Sequence, residues 1–125
     1  MDIIIALGPH FDTLLTDNAM QDLRNIYPLH VIELENDQLN LFFDADLQYE
    51  LFEDAEKEHS GYAWIDIIEL FLEDNFPDLM GEFDYDPEAD TCSLRGNFDE
   101  MKYFILEFRA MMFDDVQLSD YIERL

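Results

Sequence analysis

Hydrophobic positions in the second half of this chain change period twice. Between residues 61 and 75, Trp64, Ile65, Ile68, Phe71 and Leu72 recur at steps of three and four, leaving Asp66, Glu69, Glu73 and Asp74 to point away. This spacing predicts an amphipathic helix with one broad apolar face. Ser60 and Gly61 start it. Pro77 stops it, because the residue before a proline is disfavoured in the helical region. Beyond Pro77 the period falls to two. Glu82, Asp84 and Asp86 alternate with Phe83 and Tyr85, so a strand here carries aromatics on one face and carboxylates on the other. Glu88 and Asp90 occupy the turn, Ser93 and Leu94 the return strand, and Gly96 closes the hairpin. Helical spacing then resumes behind Asn97, with Glu100 three positions on as in a capping box. Met101, Phe104, Ile105, Phe108 and Met112 form its inner stripe, with Lys102 and Arg109 outside. Asp115 caps a last short helix bearing Leu118, Tyr121, Ile122 and Leu125.

The first half is less regular. A β-branched run at residues 3–7 ends at Gly8-Pro9 and predicts a buried strand. Thr16 or Asp17 can cap a short helix through Arg24, with Met20, Leu23 and Tyr27 inward and Pro28 as its stop. Residues 30–35 alternate, Ile32 and Leu34 against Glu33 and Glu35. Asn36-Asp37 is turn chemistry, and Leu39, Leu41 and Phe43 alternate in turn, which predicts a hairpin with a polar face. In residues 47–52, Leu47, Tyr49 and Leu51 alternate with Gln48, Glu50 and Phe52, which favours a third strand and leaves a helix open. Residues 53–60 read as a solvated acidic loop. The predicted fold is α+β: one domain over residues 1–125, with an antiparallel sheet, two main amphipathic helices on one face, and a short C-terminal helix.

Charge changes this picture. The chain has 31 Asp and Glu against six Lys and Arg, a net −25 at neutral pH. Its 11 Phe and six Tyr separate it from disordered acidic tails, which lack the aromatics to build a core. A field of this size serves a basic partner better than it serves solubility alone. It opposes direct binding to nucleic-acid phosphates and to anionic membranes, and it disfavours self-association, so a monomer is expected before any complex forms. The N-terminal apolar run is too short to span a bilayer, and the single Cys92 fits a reducing cytoplasm.

Several chemistries fail on spacing. Asp84, Asp86, Glu88 and Asp90 match positions 1, 3, 5 and 7 of a calcium loop, but Ala89 and Arg95 stand where it needs Gly and a bidentate Glu, and Pro87 interrupts it. His10, His30 and His59 share no metal-ligand spacing. Cys92 sits among acids that raise a thiol pKa, the wrong direction for a nucleophile. No glycine-rich phosphate cradle is present. The sequence therefore points to no enzyme, cofactor or metal. What remains unexplained is the density of acid in residues 44–58 and 82–90. These blocks flank the same helix, so the fold could bring them onto one surface. Trp64 is expected in the core. Tyr62 and Tyr85 flank the acidic blocks, with core packing and an interface role both open for Tyr85.

The run LFEDAEKEHSGYAWIDIIELFLE, followed by FDYDPEADTCSL and a terminal amphipathic helix, resembles a family of small immunity proteins from bacterial polymorphic-toxin and contact-dependent growth-inhibition systems. The matching features are Phe52-Glu53 in a strand, Gly61-Tyr62-Ala63-Trp64 at a helix start, and Tyr85-Asp86-Pro87-Glu88-Ala89 in a turn, with Tyr85 where the family has Phe. The resemblance covers residues 51–112. It implies a cytoplasmic antitoxin that binds the C-terminal domain of its cognate toxin. Nuclease toxins must bind phosphate and so carry a cationic cleft, which an acidic surface would find faster by electrostatic steering. The expected contact surface is Glu82, Asp84, Asp86, Glu88 and Asp90 with Tyr85 as an anchor, supported by Glu53, Asp54, Glu56 and Glu58. The alternative is an acidic nucleic-acid mimic that inhibits a host DNA-binding protein, which needs carboxylates along an elongated surface.

Overall fold

Strands β1 (His30–Leu34) and β2 (Gln38–Asp44) make the expected hairpin. Asn36 and Asp37 turn it with φ of 61° and 60°, a left-handed conformation that these two side chains tolerate better than most. The computed structural model describes residues 26–125, so the strand expected at 3–7, the helix expected from Thr16 or Asp17 through Arg24, and His10 lie outside the described residues. After β2 come helix α1 (Tyr49–Asp54), helix α2 (Gly61–Asn75), a 3-10 turn (Pro77–Leu79), strands β3 (Asp84–Tyr85) and β4 (Thr91–Asn97), and helices α3 (Phe98–Met112) and α4 (Asp115–Glu123). Among the described residues the strands form one sheet in the order β1-β2-β4-β3, with every pair antiparallel. The α+β architecture is as the sequence predicts.

One face of this sheet is the core. Leu39, Leu41 and Phe43 of β2 and Cys92 and Leu94 of β4 are buried there with Phe83, beneath Trp64, Ile68 and Phe71 of α2 and Phe104 and Phe108 of α3. The aromatics meet mostly edge to face: Phe43 and Trp64 at 5.3 Å and 89°, Phe71 and Phe108 at 5.6 Å and 73°. Gly96 lies within β4 rather than at its close. A Cβ there would strike the Phe83 ring and crowd the Met101 sulfur, so the bare backbone lets α3 sit down on the strand. Helix starts follow local chemistry. Ser60 Oγ accepts from Ala63 N–H at 3.1 Å, Asn97 Oδ1 from Asp99 N–H at 2.8 Å, and Asp114 Oδ1 from Gln117 N–H at 3.1 Å. The last cap is thus Asp114, one residue earlier than expected.

Five further expectations are corrected. The segment 47–52 is helical from Tyr49, entered through Gln48 at φ 57°. Its core-facing residues are Leu51, Phe52 and Ala55, a helical spacing, while Tyr49 points outward. The Phe52-Glu53 element of the resemblance is therefore helix, not strand. In β1 the faces are reversed: Val31 and Glu33 pair with Leu41 and Leu39 on the core side, and Ile32 pairs with Asn40 on the other. β1 ends the sheet formed by the described strands, and Glu33 is half-buried there. Tyr27 is exposed rather than inward, because the chain turns at Tyr27-Pro28 and buries Ile26 and Leu29 instead. Lys102 is buried rather than outside. Its stem lies between Phe98 and Tyr103, with Nζ 5.4 Å from each ring centroid and 3.3 Å from Asp99 Oδ1. In α2, Ile67 is buried where Ile65 was expected, and Ile65 is only half-buried.

Candidate functional site

The strand registers place the acidic hairpin at one edge of the open sheet face. Asp84 pairs with Arg95 across β3–β4, and Arg95 with Asn40 across β4–β2. Asn40 in turn pairs with Ile32. One step along, the Asp86 N–H donates to the Ser93 carbonyl at 2.8 Å, Ser93 pairs with Phe42, and Phe42 pairs with His30. A further step brings the Glu88 N–H to the Thr91 carbonyl at 2.8 Å, with Thr91 opposite Asp44. The face opposite the core thus runs from carboxylates on the β3 side, through polar β4 residues, to His30, Ile32 and Phe42. Phe83 and Tyr85 point the other way, as their alternation predicts.

Two backbone contacts anchor the turn. The Ala45 N–H donates to the Asp90 carbonyl at 2.9 Å, and the Gly61 N–H donates to the Glu88 carbonyl at 2.8 Å. The hairpin tip is thereby fixed to the end of β2 and to the first residue of α2. This joins Asp44 and Asp46, from the first acidic block, to Glu88 and Asp90, from the second. Glu58 lies beside His59, whose Nε2 is 3.0 Å from Asp46 Oδ1. Glu53 and Asp54 lie on helix α1, and Glu56 just follows it. Helix α1 packs on α4, and Lys57 Nζ donates to the Leu125 backbone oxygen at 2.8 Å.

Tyr85 is half-buried against the core, and its hydroxyl donates to Glu69 Oε2 at 3.2 Å. Burial first, and then the Glu69 carboxylate, push its ionisation far above the ordinary phenol range. The bond to Glu69 holds the ring in place beside the carboxylates. Cys92 faces the core, and burial pushes its thiol up to about 12. The direction matches the sequence reading, but the cause is burial rather than nearby acids. Folded protein at neutral pH is expected to resist iodoacetamide, with Cys92 alkylated only on unfolding. Prompt stoichiometric labelling of the native state would contradict this.

Most of the described cations are spent elsewhere. Arg124 bonds Asp74 at 3.0 Å, Arg109 the Tyr27 carbonyl at 2.7 Å, and Lys102 Asp99. Only Arg95, 3.5 Å from Asp84 and exposed like its partner, meets the hairpin among the described Lys and Arg. Such a surface pair is weak, so the edge stays strongly negative. Neither the comparison with curated proteins nor that with solved structures finds a match. The family model for immunity protein 51 (Imm51) does match, over residues 29–125. The chain belongs to the immunity protein 51 family. The match reaches beyond residues 51–112 and takes in the β1–β2 hairpin and α4. In this immunity protein the structure adds His30, Ile32 and Phe42 to the residues the sequence singles out, and brings Asp44 and Asp46 of the first acidic block beside Asp90. Their shared face follows from strand register, which local periodicity does not reveal. No helix among the described residues is long and apolar enough to cross a membrane.

Proposed function

We infer that this immunity protein binds the C-terminal domain of a cognate toxin from a polymorphic-toxin or contact-dependent inhibition system, and neutralises it by covering a cationic surface. The favoured toxin is a nuclease, whose phosphate-binding cleft is the natural complement of the hairpin. Inhibition is by occlusion, with no catalysis by the immunity protein. The observation that carries the reading is the row of Glu82, Asp84, Asp86 and Glu88 at the sheet edge, met among the described Lys and Arg only by the weak Asp84–Arg95 pair. Charge there accelerates encounter, and the partly desolvated Tyr85 is the candidate anchor that slows release. Duplex mimicry needs carboxylates at phosphate spacing along an elongated surface. The hairpin instead gathers them at one edge.

Replacing Asp84 and Asp86 with lysine removes two negative charges and adds two positive ones at positions that point to solvent. The expected result is association with the toxin domain slower by roughly 10- to 100-fold at low salt, with the dissociation rate changed much less. Stability should stay within about 0.5 kcal/mol of the parent. Stopped-flow mixing across a salt series reads this directly. Unchanged association kinetics would remove the hairpin from the interface.

A further inference from the structure

At one end of the open sheet face, His30, Phe42, Asp44, Asp46, Asp90 and Thr91 line a cavity of about 340 Å³. Its walls come from three parts of the chain. His30 and Phe42 are cross-strand partners whose rings stack at 5.0 Å and 20°. Asp44 ends β2 opposite Thr91, and the bond from Ala45 N–H to the Asp90 carbonyl holds the hairpin turn against that end. The result is a concavity with an aromatic surface on one side and three carboxylates around it.

These carboxylates have only small commitments. Asp44 accepts from the Asp46 N–H at 2.8 Å, Asp46 is paired with His59, and Asp90 meets the Thr91 hydroxyl at 3.3 Å. None of the three meets a Lys or Arg among the described residues. A carboxylate has about four acceptor positions, so each keeps most of its capacity. Among the described residues no three His, Cys, Asp or Glu side chains come together as a metal-ion ligand set. A concavity walled by rings and carboxylates together suits a planar cation with several donors.

We propose that this cavity receives an arginine side chain of the toxin domain. The proposal rests on the toxin-inhibitor reading and adds the chemistry of the contact. A guanidinium stacks on aromatic faces and presents five donors in a plane, so it can use the ring surface and more than one carboxylate together. A lysine ammonium is a point charge that matches the acids but gains less from the rings. The roles then divide: the β3 carboxylates draw the partner in, and the cavity fixes one of its side chains.

The test needs no toxin, so its failure is separable from failure of the inhibitor reading. Isotope-labelled protein is titrated with Nα-acetyl-arginine amide, and in parallel with the lysine and citrulline analogues, while amide shifts are followed by NMR. The expected result is a saturable shift centred on Phe42, Asp44, Asp90 and Thr91 with arginine, a weaker one with lysine, and none with citrulline. Asp44→Asn combined with Asp90→Asn should weaken the arginine response about tenfold, with the remaining spectrum unchanged. An independent variant, Phe42→Leu, should reduce the preference for arginine over lysine. A response equal for arginine and lysine would overturn the proposal. So would one centred on residues 82–88, one undiminished in the double variant, or no saturable shift at all.

Discussion

Trp64→Ala is expected to cost about 3–5 kcal/mol of stability, the range for deleting a large buried aromatic side chain. Trp64 is fully buried, with the rings of Phe43, Phe52 and Phe108 at 5.3, 5.4 and 6.1 Å. These neighbours come from β2, α1 and α3, so the cavity would open where three elements meet and none could fill it alone. The indole Nε1 also donates to the Ala45 carbonyl at 3.1 Å, at the residue whose N–H holds the acidic turn. A domain of this size has about 5–15 kcal/mol in total, and self-repulsion at −25 leaves less margin. Urea unfolding should show a large fall in midpoint. Trp64→Phe should fall between the two, since it keeps much of the packing and removes the donor. A loss below about 1 kcal/mol for Trp64→Ala would contradict the packing described here.

Gly61→Ala is expected to reverse the usual sign of its substitution type. In a helix, alanine ordinarily gains up to about 1 kcal/mol over glycine. At Gly61, however, a Cβ would sit well inside contact distance of the Thr91 and Glu88 carbonyl oxygens, with the Glu88 nitrogen at 2.8 Å. All three are backbone atoms of the acidic hairpin and cannot rotate away. The turn must lift off the helix start and lose the Gly61 N–H to Glu88 bond. A destabilisation of about 1–3 kcal/mol follows from overpacking of this kind. Because the displaced segment carries Glu88 and Asp90, binding to the toxin domain should weaken as well. The lysine pair at 84 and 86 gives the contrasting pattern, slower binding with stability retained. A stabilised Gly61→Ala protein would show that the hairpin does not rest on α2.

The residues that announced themselves in the sequence are those whose neighbours along the chain settle their environment. The stripes of α2 and α3 repeat over 15 residues each, long enough for period to outweigh local exceptions, and Ser60 and Asn97 satisfy helix-start donors within three residues of themselves. The alternation of Phe83 and Tyr85 with acids likewise survives folding. Legibility failed where the deciding contact is distant. Residues 47–52 alternate too briefly to choose between strand and helix. What decides is Phe52 reaching Trp64, together with Gln48 donating to the Met112 carbonyl at 3.0 Å. The faces of β1 differ from the sequence expectation because Ile32 and Leu34 form the more apolar set, against Val31, Glu33 and Glu35, and only pairing with Leu39 and Leu41 selects Val31. Lys102 looked external because charge outweighed the apolar stem that Phe98 and Tyr103 cover.

The same distinction holds for the candidate site. Acid density in residues 82–90 is visible in the linear order, but its neighbours are not. The joining of Asp44 and Asp46 to Asp90 depends on the β2–β4 register and on the Ala45 contact. The placing of Glu53 and Asp54 depends on α1 being a helix that packs on α4. Both follow from the way the sheet and helices assemble, which no local window contains.

The most direct test of the central claim is co-purification of the tagged immunity protein with C-terminal toxin domains co-expressed from its source cells, washed at low and then high salt. The predicted result is a one-to-one complex at low salt that loosens as salt rises, with toxin activity lost while the complex holds. Failure to retain the domain at low salt, or a complex that forms while the toxin stays active, would contradict inhibition by the acidic face.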